Sequence, residues 1–297
     1  MRVAQGSDAT NVPVISVLNM KGGVGKTTIS AHLFRHMVDV LKKSILIIDF
    51  DPQFNLTQTL MTQAQYQGYQ KNNKTVFSVM EPPSTPTLFT IAKNLGPPPS
   101  TDEVMKQLLI WTESKKTALG LVPGDFRMTK YTLVDDPKSL IPVQKRFLEF
   151  VEAAKKEYDL IVIDCNPSSS FMSLCALTAS SHLLIPVRSD LYSMLGLELL
   201  DEFVNGLPAI ITKPKQIVLI NGGPGNSMST EFESTLRANS KFGPATLPTI
   251  LKSSSLLSAK EGRVGCATDK KLPHVNALKR NLTKIAHELK IPLGWEL

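Results

Sequence analysis

Asn19-Met20-Lys21-Gly22-Gly23-Val24-Gly25-Lys26-Thr27-Thr28 is the stretch that decides the fold of this chain. An apolar run, Val14 to Leu18, precedes it and reads as a buried strand. Ile29, Leu33, Met37 and Leu41 follow it on one face of a helical pattern. A strand, a glycine loop and a helix in that order make a phosphate-binding loop. Its glycines let backbone N–H groups turn inward around phosphate oxygens, and the helix N-terminus adds a favourable dipole. In such a loop Lys26 reaches the β- and γ-phosphates and the Thr27 hydroxyl holds Mg²⁺. Gly22, Gly23, Val24, Gly25 and Thr28 complete the expected nucleotide cradle.

Further apolar, β-branched runs lie at Ile45–Phe50, Leu160–Asp164, Leu183–Val187 and Ile217–Asn221, with a weaker one at Leu119–Val122. Stretches of helical periodicity, including Val143–Lys156 and Leu195–Val204, separate most of them. Short, fully apolar strands alternating with helices predict a doubly wound α/β fold, a mostly parallel sheet of P-loop NTPase type with helices on both faces. Ligands of such folds bind at the carboxyl ends of the strands. We expect a single domain over 13–297 and a flexible tail over 1–12. Glu81 to Ser100 carries six prolines (82, 83, 86, 97, 98 and 99) and reads as a surface excursion rather than a helix or central strand.

The 297 residues are 42% hydrophobic and 20% charged, as in an ordinary soluble globular protein. No run approaches the roughly 18 apolar residues of a membrane span. MRVAQGSDATN at the N-terminus lacks the apolar segment of a signal peptide. Cys165, Cys175 and Cys266 form no CxxC, which fits reduced cytoplasmic thiols. The net charge of +7 is concentrated at one end. Residues 1–236 hold 22 Lys+Arg against 22 Asp+Glu, and residues 237–297 hold 11 against 4. A basic C-terminal part on a neutral body points to a polyanion partner, nucleic acid ahead of membrane, or to a merely solvated face.

Two strand ends carry carboxylates. Ile45 to Phe50 runs into Asp49-Phe50-Asp51-Pro52-Gln53, whose aspartates share a face of an extended strand and could address one ligand edge. Leu160 to Ile163 ends in Asp164, the position from which a Walker B aspartate touches Mg²⁺ through water.

The strict GxxxxGK[ST] pattern fails at Met20, whereas xKGGxGK[ST] fits in full and resembles the deviant Walker A loop of the ParA/MinD family of ATPases. DxDPQ at 49–53 and Asp164-Cys165-Asn166-Pro167-Ser168 strengthen the resemblance, as do Leu184-Ile185-Pro186-Val187 and Leu247-Pro248-Thr249-Ile250-Leu251-Lys252. Relatives usually place a proline where this chain has Asn166. The resemblance implies ATP and Mg²⁺ as ligands, with Lys21 reaching across a homodimer to the partner copy's nucleotide. It implies that Asp51 positions the attacking water and that Asp49 lies nearer the Mg²⁺ shell. Asn221 would read the adenine edge, or it simply opens the Gly222-Gly223-Pro224-Gly225 turn.

On this resemblance the chain is expected to be an ATPase, slow without a partner, that dimerises on ATP and binds DNA nonspecifically. A ParB-like or cargo-adaptor protein would then stimulate hydrolysis and release it. Such a protein is cytoplasmic and nucleoid-associated. Lys252 matches the family's DNA-contacting position. Arg263, Lys279 and Arg280, with Lys260, Lys270 and Lys271, supply further cations for phosphate contact, and Arg188 is a weaker candidate. The alternative is a MinD-like membrane-cycling ATPase, because Val275, Leu278, Leu282, Ile285 and Leu289 form an apolar stripe among basic residues. A metal-loading ATPase or reductase would need the paired cysteines that this sequence lacks.

Overall fold

The computed structural model describes residues 12–83, 90–92, 94–134, 136–168, 170–190, 192–222, 227–257 and 264–295. Seven strands form one sheet in the order β3-β4-β2-β5-β1-β6-β7. They are β1 (Val14–Val17), β2 (Ile45–Phe50), β3 (Lys106–Ile110), β4 (Thr117–Val122), β5 (Leu160–Cys165), β6 (His182–Val187) and β7 (Lys215–Ile220). Every pairing is parallel except β3 with β4. The helices are α1 (Lys26–Leu41), α2 (Asn55–Leu60), α3 (Gln63–Lys71), α4 (Val76–Met80), α5 (Thr101–Val104), α6 (Pro137–Ala154), α7 (Phe171–Ala179), α8 (Ser193–Gly206), α9 (Ser227–Ala238) and α10 (Val275–Lys290).

The apolar runs become strands because they can be covered on both sides. Every residue of β2 and β5 is buried. Their side chains alternate between two cores, as the pleat requires. Leu46, Ile48, Phe50, Ile161 and Ile163 face a layer built on α4, α6, α7 and α8. Ile45, Ile47, Leu160 and Val162 face α1 and α10, where Leu33, Phe34, Met37, Leu282, Ile285 and Leu289 complete the core. The predicted doubly wound sheet is therefore present, with strand bounds that differ from the sequence expectation by two residues or fewer.

β3 escaped the sequence reading. Its residues are half-exposed or exposed, and its short apolar run, Leu108-Leu109-Ile110-Trp111, follows Lys106 and Gln107 and was not singled out in the sequence. It adds to the sheet edge as a hairpin partner of β4 with a register shift between Gln107 and Leu109. The opposite edge, β7, is covered by bridges from Val218 to Thr246 and from Asn221 to Leu251.

The proline-rich excursion is corrected at its first residue. Glu81 is not on the surface: it and Lys130 are both 0% exposed, and they form an ion pair at 2.8 Å. Tyr131 donates to Glu81 Oε1 (2.8 Å), the Ala92 N–H donates to Oε2 (3.0 Å), and Lys130 Nζ donates to the Thr90 carbonyl (2.8 Å). A charged anchor thus fixes the returning end of the excursion to the 3₁₀ turn over Phe126–Thr132. At its far end Ser100 and Glu103 form a reciprocal cap on α5. Pro86 lies outside the described residues.

Removing one partner of a buried pair strands the other charge. Lys130→Met should therefore lose about 3–5 kcal/mol in urea denaturation. Adding Glu81→Gln should recover much of that loss, and a double variant as unstable as the single one would contradict the anchor.

Candidate functional site

The phosphate-binding loop leaves the carboxyl end of β1 between β5 and β6. Asn19 fixes its start, donating through Nδ2 to the Pro186 carbonyl (2.8 Å) and accepting the Lys21 N–H at Oδ1 (2.9 Å). Gly23 and Gly25 take positive φ values of 73° and 97°, which only glycine adopts readily. At Gly25 a Cβ would also lie 2.2 Å from Asn221 Nδ2, the group that donates to the Val24 carbonyl at 2.8 Å. Nothing stands within 4 Å of a Cβ built on Gly22 or Gly23, so the loop's backbone can be approached closely from that side. Thr28 lies half-buried in the first turn of α1.

Lys26 folds over the loop, its buried ammonium donating to the carbonyls of Asn19 (2.9 Å) and Lys21 (3.1 Å). Burial lowers its pKa, and the fields of Asp164, Cys165 and Asp51 oppose that shift. Thr27 donates to Asp164 Oδ2 at 3.0 Å and Ser30 donates to Oδ1 at 2.7 Å. Asp164 is 1% exposed, and burial raises its pKa far above the usual carboxylate range in spite of those two donors. Asp51, also buried, is raised by burial, against its hydrogen bond from the Gln53 N–H (2.9 Å) and the field of Lys26.

The structure thus brings Lys26, Thr27, Asp51 and Asp164 into one crevice and sets Asn221 against the back of the loop. One expected position differs in detail. Asp49 is fully buried and pairs in register with Asp164, but its Oδ2 accepts from the Thr57 N–H (2.8 Å) and hydroxyl (2.6 Å). It stands behind Asp164 and fixes α2 rather than opening toward the loop. Lys21 Nζ pairs with Asp190 of the same chain at 2.6 Å, with both groups partly exposed.

Ser30 and Thr57 were missed by the sequence reading. Ser30 could have been found, because it lies one turn after Thr27 on the same helix face. Thr57 carries no such signal. Its hydroxyl also accepts from the Gly124 N–H (2.8 Å), a contact across 67 residues.

Among the described residues no group of three or more His, Cys, Asp or Glu could hold a metal by itself. The donors present, one carboxylate with two hydroxyls beside a phosphate-type loop, suit a hard cation that keeps waters and phosphate oxygens as its remaining ligands. Asp164 has its ionised form disfavoured by burial, and a divalent cation would relieve that.

The basic candidates separate into groups. Lys252 is exposed, and Asn281 of α10 ties its segment in place, accepting the Lys252 N–H (2.8 Å) and donating to the Ile250 carbonyl (2.9 Å). Lys279 and Arg280 lie on the same helix and line a shallow depression with Asn276, Thr283 and Lys284. Arg188 is exposed at the end of β6, two residues from Asp190, on the side of the phosphate loop. Arg263 and Lys260 lie outside the described residues.

The segment just after them is fastened to α1 and α2. Gly265 N–H donates to the Thr59 carbonyl (2.8 Å), Ala267 N–H to His32 Nδ1 (3.2 Å), and Arg35 pairs with Asp269 (2.8 Å). Burial pushes the His32 imidazole down to about 4, which keeps Nδ1 free to accept.

Leu278, Leu282, Ile285 and Leu289 are buried against the α1 side of the sheet, so the stripe that suggested a membrane helix is core. No helix among the described residues is long and apolar enough to cross a membrane. The three cysteines are buried and unpaired, and burial raises their thiols, Cys266 to about 12.

Residues 12–216 match the AAA domain family. The chain is a ParA-type member of that family. It is 30% identical over 189 residues to the sporulation initiation inhibitor protein Soj of Bacillus subtilis (strain 168), covering 62% of this chain and 61% of Soj. It therefore spans less than two thirds of that relative's length. Two solved structures share the fold. A putative plasmid partition protein from Borrelia burgdorferi B31 bound to AMPPNP superposes with a TM-score of 0.66 at 18% identity, covering 93% of this chain and 98% of the other. pNOB8 ParA bound to nonspecific DNA does so with a TM-score of 0.64 at 20% identity, covering 96% and 100%. The ParA-type resemblance read from the loop and the two aspartate strands is thus the family of the chain.

A neutral isostere at position 164 removes a buried carboxylate whose pKa the fold raises. The unfolded chain releases that proton in the ordinary carboxylate range and the folded chain only nearer neutrality, so stability falls as pH rises between them. Asp164→Asn should melt above the parent by roughly 5 °C at pH 8 without metal, with the gap closing as pH is lowered. The same variant should lose any Mg²⁺-dependent rise in melting temperature, and a retained rise would remove Asp164 from the metal site.

Proposed function

We propose that this protein is a partition-type ATPase that works as a nucleotide-switched homodimer on DNA. The observation that carries the reading is the hydrogen bond from Thr27 to Asp164 beside Lys26 and Asp51, which joins the phosphate loop, a cation ligand set and a water-side carboxylate in one crevice. Lys26 would neutralise charge on the transferred phosphoryl group. Thr27 and Asp164 would hold Mg²⁺, with Asp49 behind them setting α2, and Asp51 would orient water. The nucleotide itself brings the phosphoryl group to be transferred. Asn221 acts first by bracing the loop that receives it.

Lys21 would exchange its partly exposed pairing with Asp190 for the nucleotide of a partner copy. Phe126, Tyr192 and Leu195 are 59%, 66% and 50% exposed, and all lie on segments leaving the carboxyl edge of the sheet, the edge that carries the crevice. A second copy meeting that edge would cover them together with Lys21. Lys252, Lys279 and Arg280 offer cations to a phosphate backbone, the sequence-independent contact that nonspecific binding requires. A ParB-like or adaptor protein would stimulate turnover. Residues 13–297 would act as one ParA-like unit associated with DNA. The membrane-cycling reading loses its helix, because the α10 stripe is packed inside.

Binding to random-sequence duplex DNA across a salt series tests the DNA half of this reading. ATP–Mg²⁺ should be required, and Lys279→Ala with Arg280→Ala should lower the salt slope by roughly two. Binding that ignores both nucleotide and salt would refute it.

Asp51→Ala tests the nucleotide half. It should retain ATP binding and accumulate a dimer in size-exclusion chromatography, whereas Lys26→Ala should abolish nucleotide binding. An Asp51→Ala protein that stays monomeric with ATP would sink the assignment.

A further inference from the structure

Ser30 directs its hydrogen out of its own helix. It is the fifth residue of α1 and is 0% exposed, and its hydroxyl donates to Asp164 Oδ1 on β5 at 2.7 Å. A serine inside a helix lowers helix propensity and usually returns its hydrogen to the carbonyl one turn back. Here the hydrogen goes instead to a carboxylate that is itself buried.

The two hydroxyls on Asp164 are not equivalent. Thr27, which donates to Oδ2 at 3.0 Å, is half-buried in the first turn of α1, next to the phosphate loop. Its hydroxyl can turn its hydrogen away and offer its oxygen to a cation in the crevice. Ser30 lies one turn further along the helix and is sealed from solvent, so it keeps the bond it has. Rotation of a carboxylate about its last torsion is soft, and hydrogen bonds therefore decide which oxygen faces a ligand. Ser30 pins Oδ1 and leaves Oδ2 on the Thr27 side. An oxygen already holding a buried hydroxyl hydrogen is the poorer ligand, so Asp164 has one oxygen to give rather than two.

We propose that Ser30 is a positioning residue that sets which divalent cation this site prefers, by restricting Asp164 to one coordinating oxygen. Mg²⁺ demands near-ideal octahedral geometry and keeps several waters, whereas Ca²⁺ takes carboxylates through one oxygen or both in larger, flexible shells. A carboxylate held by one oxygen suits the first ion. A carboxylate free to turn and offer both oxygens admits the second more readily. Ser30 exerts this preference without touching the cation, as the outer partners of metal ligands do. Its action rests on the ATPase reading above, because the nucleotide supplies the phosphate oxygens that complete the cation's shell.

Ser30→Ala removes the donor, and Ser30→Thr keeps a hydroxyl. The readout is the rise in melting temperature that MgCl₂ or CaCl₂ adds to the ADP-bound protein. Each variant is measured against its own metal-free value, so a general loss of stability cancels. Ser30→Ala should weaken apparent Mg²⁺ affinity roughly tenfold and Ca²⁺ affinity about twofold, narrowing the preference for Mg²⁺ about fivefold. Ser30→Thr should stay within about twofold of the parent for both ions. Ser30→Cys, which has similar volume and only a weak donor, gives the same readouts should the alanine variant fail to fold. A folded Ser30→Ala or Ser30→Cys protein with the parental preference overturns the proposal, and so does an equal loss for both ions. An unsubstituted protein whose ADP-bound melting temperature ignores both ions overturns the ATPase reading instead, a result that no Ser30 variant can mimic.

Discussion

Everything in the crevice depends on one buried carboxylate being shared by two hydroxyls of the same helix. Asp164 accepts from Thr27 and from Ser30, one turn apart on α1, so the carboxyl end of β5 and the first turn of α1 cannot move independently. A carboxylate this deeply buried disfavours its own ionised form, and two neutral donors only reduce that penalty. The site is consequently built with an excess of acceptor character that a cation would balance. Asp49, one strand over, meets the same problem differently, because Thr57 donates twice to one of its oxygens and leaves it a structural role. Two aspartates at equivalent register positions therefore divide into one that faces the loop and one that fixes α2.

α1 carries that constraint outward. Its first turn holds Lys26 and Thr27, and its middle holds His32 and Arg35, which bind the backbone of Ala267 and the carboxylate of Asp269. α2, which follows Asp51, holds the N–H of Gly265 through Thr59. The two helices that spring from the nucleotide motifs thus support the same short segment of the basic C-terminal part. Separating them would require breaking buried polar contacts at both ends.

The parts legible in the sequence are those where local pattern and burial coincide. β2 and β5 are continuous apolar runs because both faces are covered, and the phosphate loop announces itself through glycines and lysines at fixed spacing. Lys26, Thr27, Asp51 and Asp164 could be placed because each lies within a few residues of such a run. What stayed hidden is long-range. β3 is a half-exposed edge whose short apolar run, Leu108-Leu109-Ile110-Trp111, becomes a strand only by pairing with β4. Glu81 lies in a proline-rich stretch whose composition argues for the surface, and its burial is made tolerable chiefly by Lys130, 49 positions away in sequence, with Tyr131 beside it. The Thr57–Gly124 contact and the Lys21–Asp190 pair are likewise products of topology, which brings the ends of distant strands together at one edge of the sheet.

α10 shows why composition alone could not separate a lipid-binding helix from a DNA-facing one. Leu278, Leu282, Ile285 and Leu289 at helical spacing among lysines satisfy either description. The deciding quantity is whether a complementary apolar surface exists elsewhere in the chain, and Leu33, Phe34 and Met37 of α1 provide it. Once that face is buried, the helix can offer the outside only its opposite side, with Lys279, Arg280, Lys284 and the Lys252 segment held to it by Asn281. Those side chains carry charge but no apolar anchor, so they suit a phosphate backbone, where Coulomb attraction and counterion release suffice, better than a bilayer, where burial of apolar area is also needed.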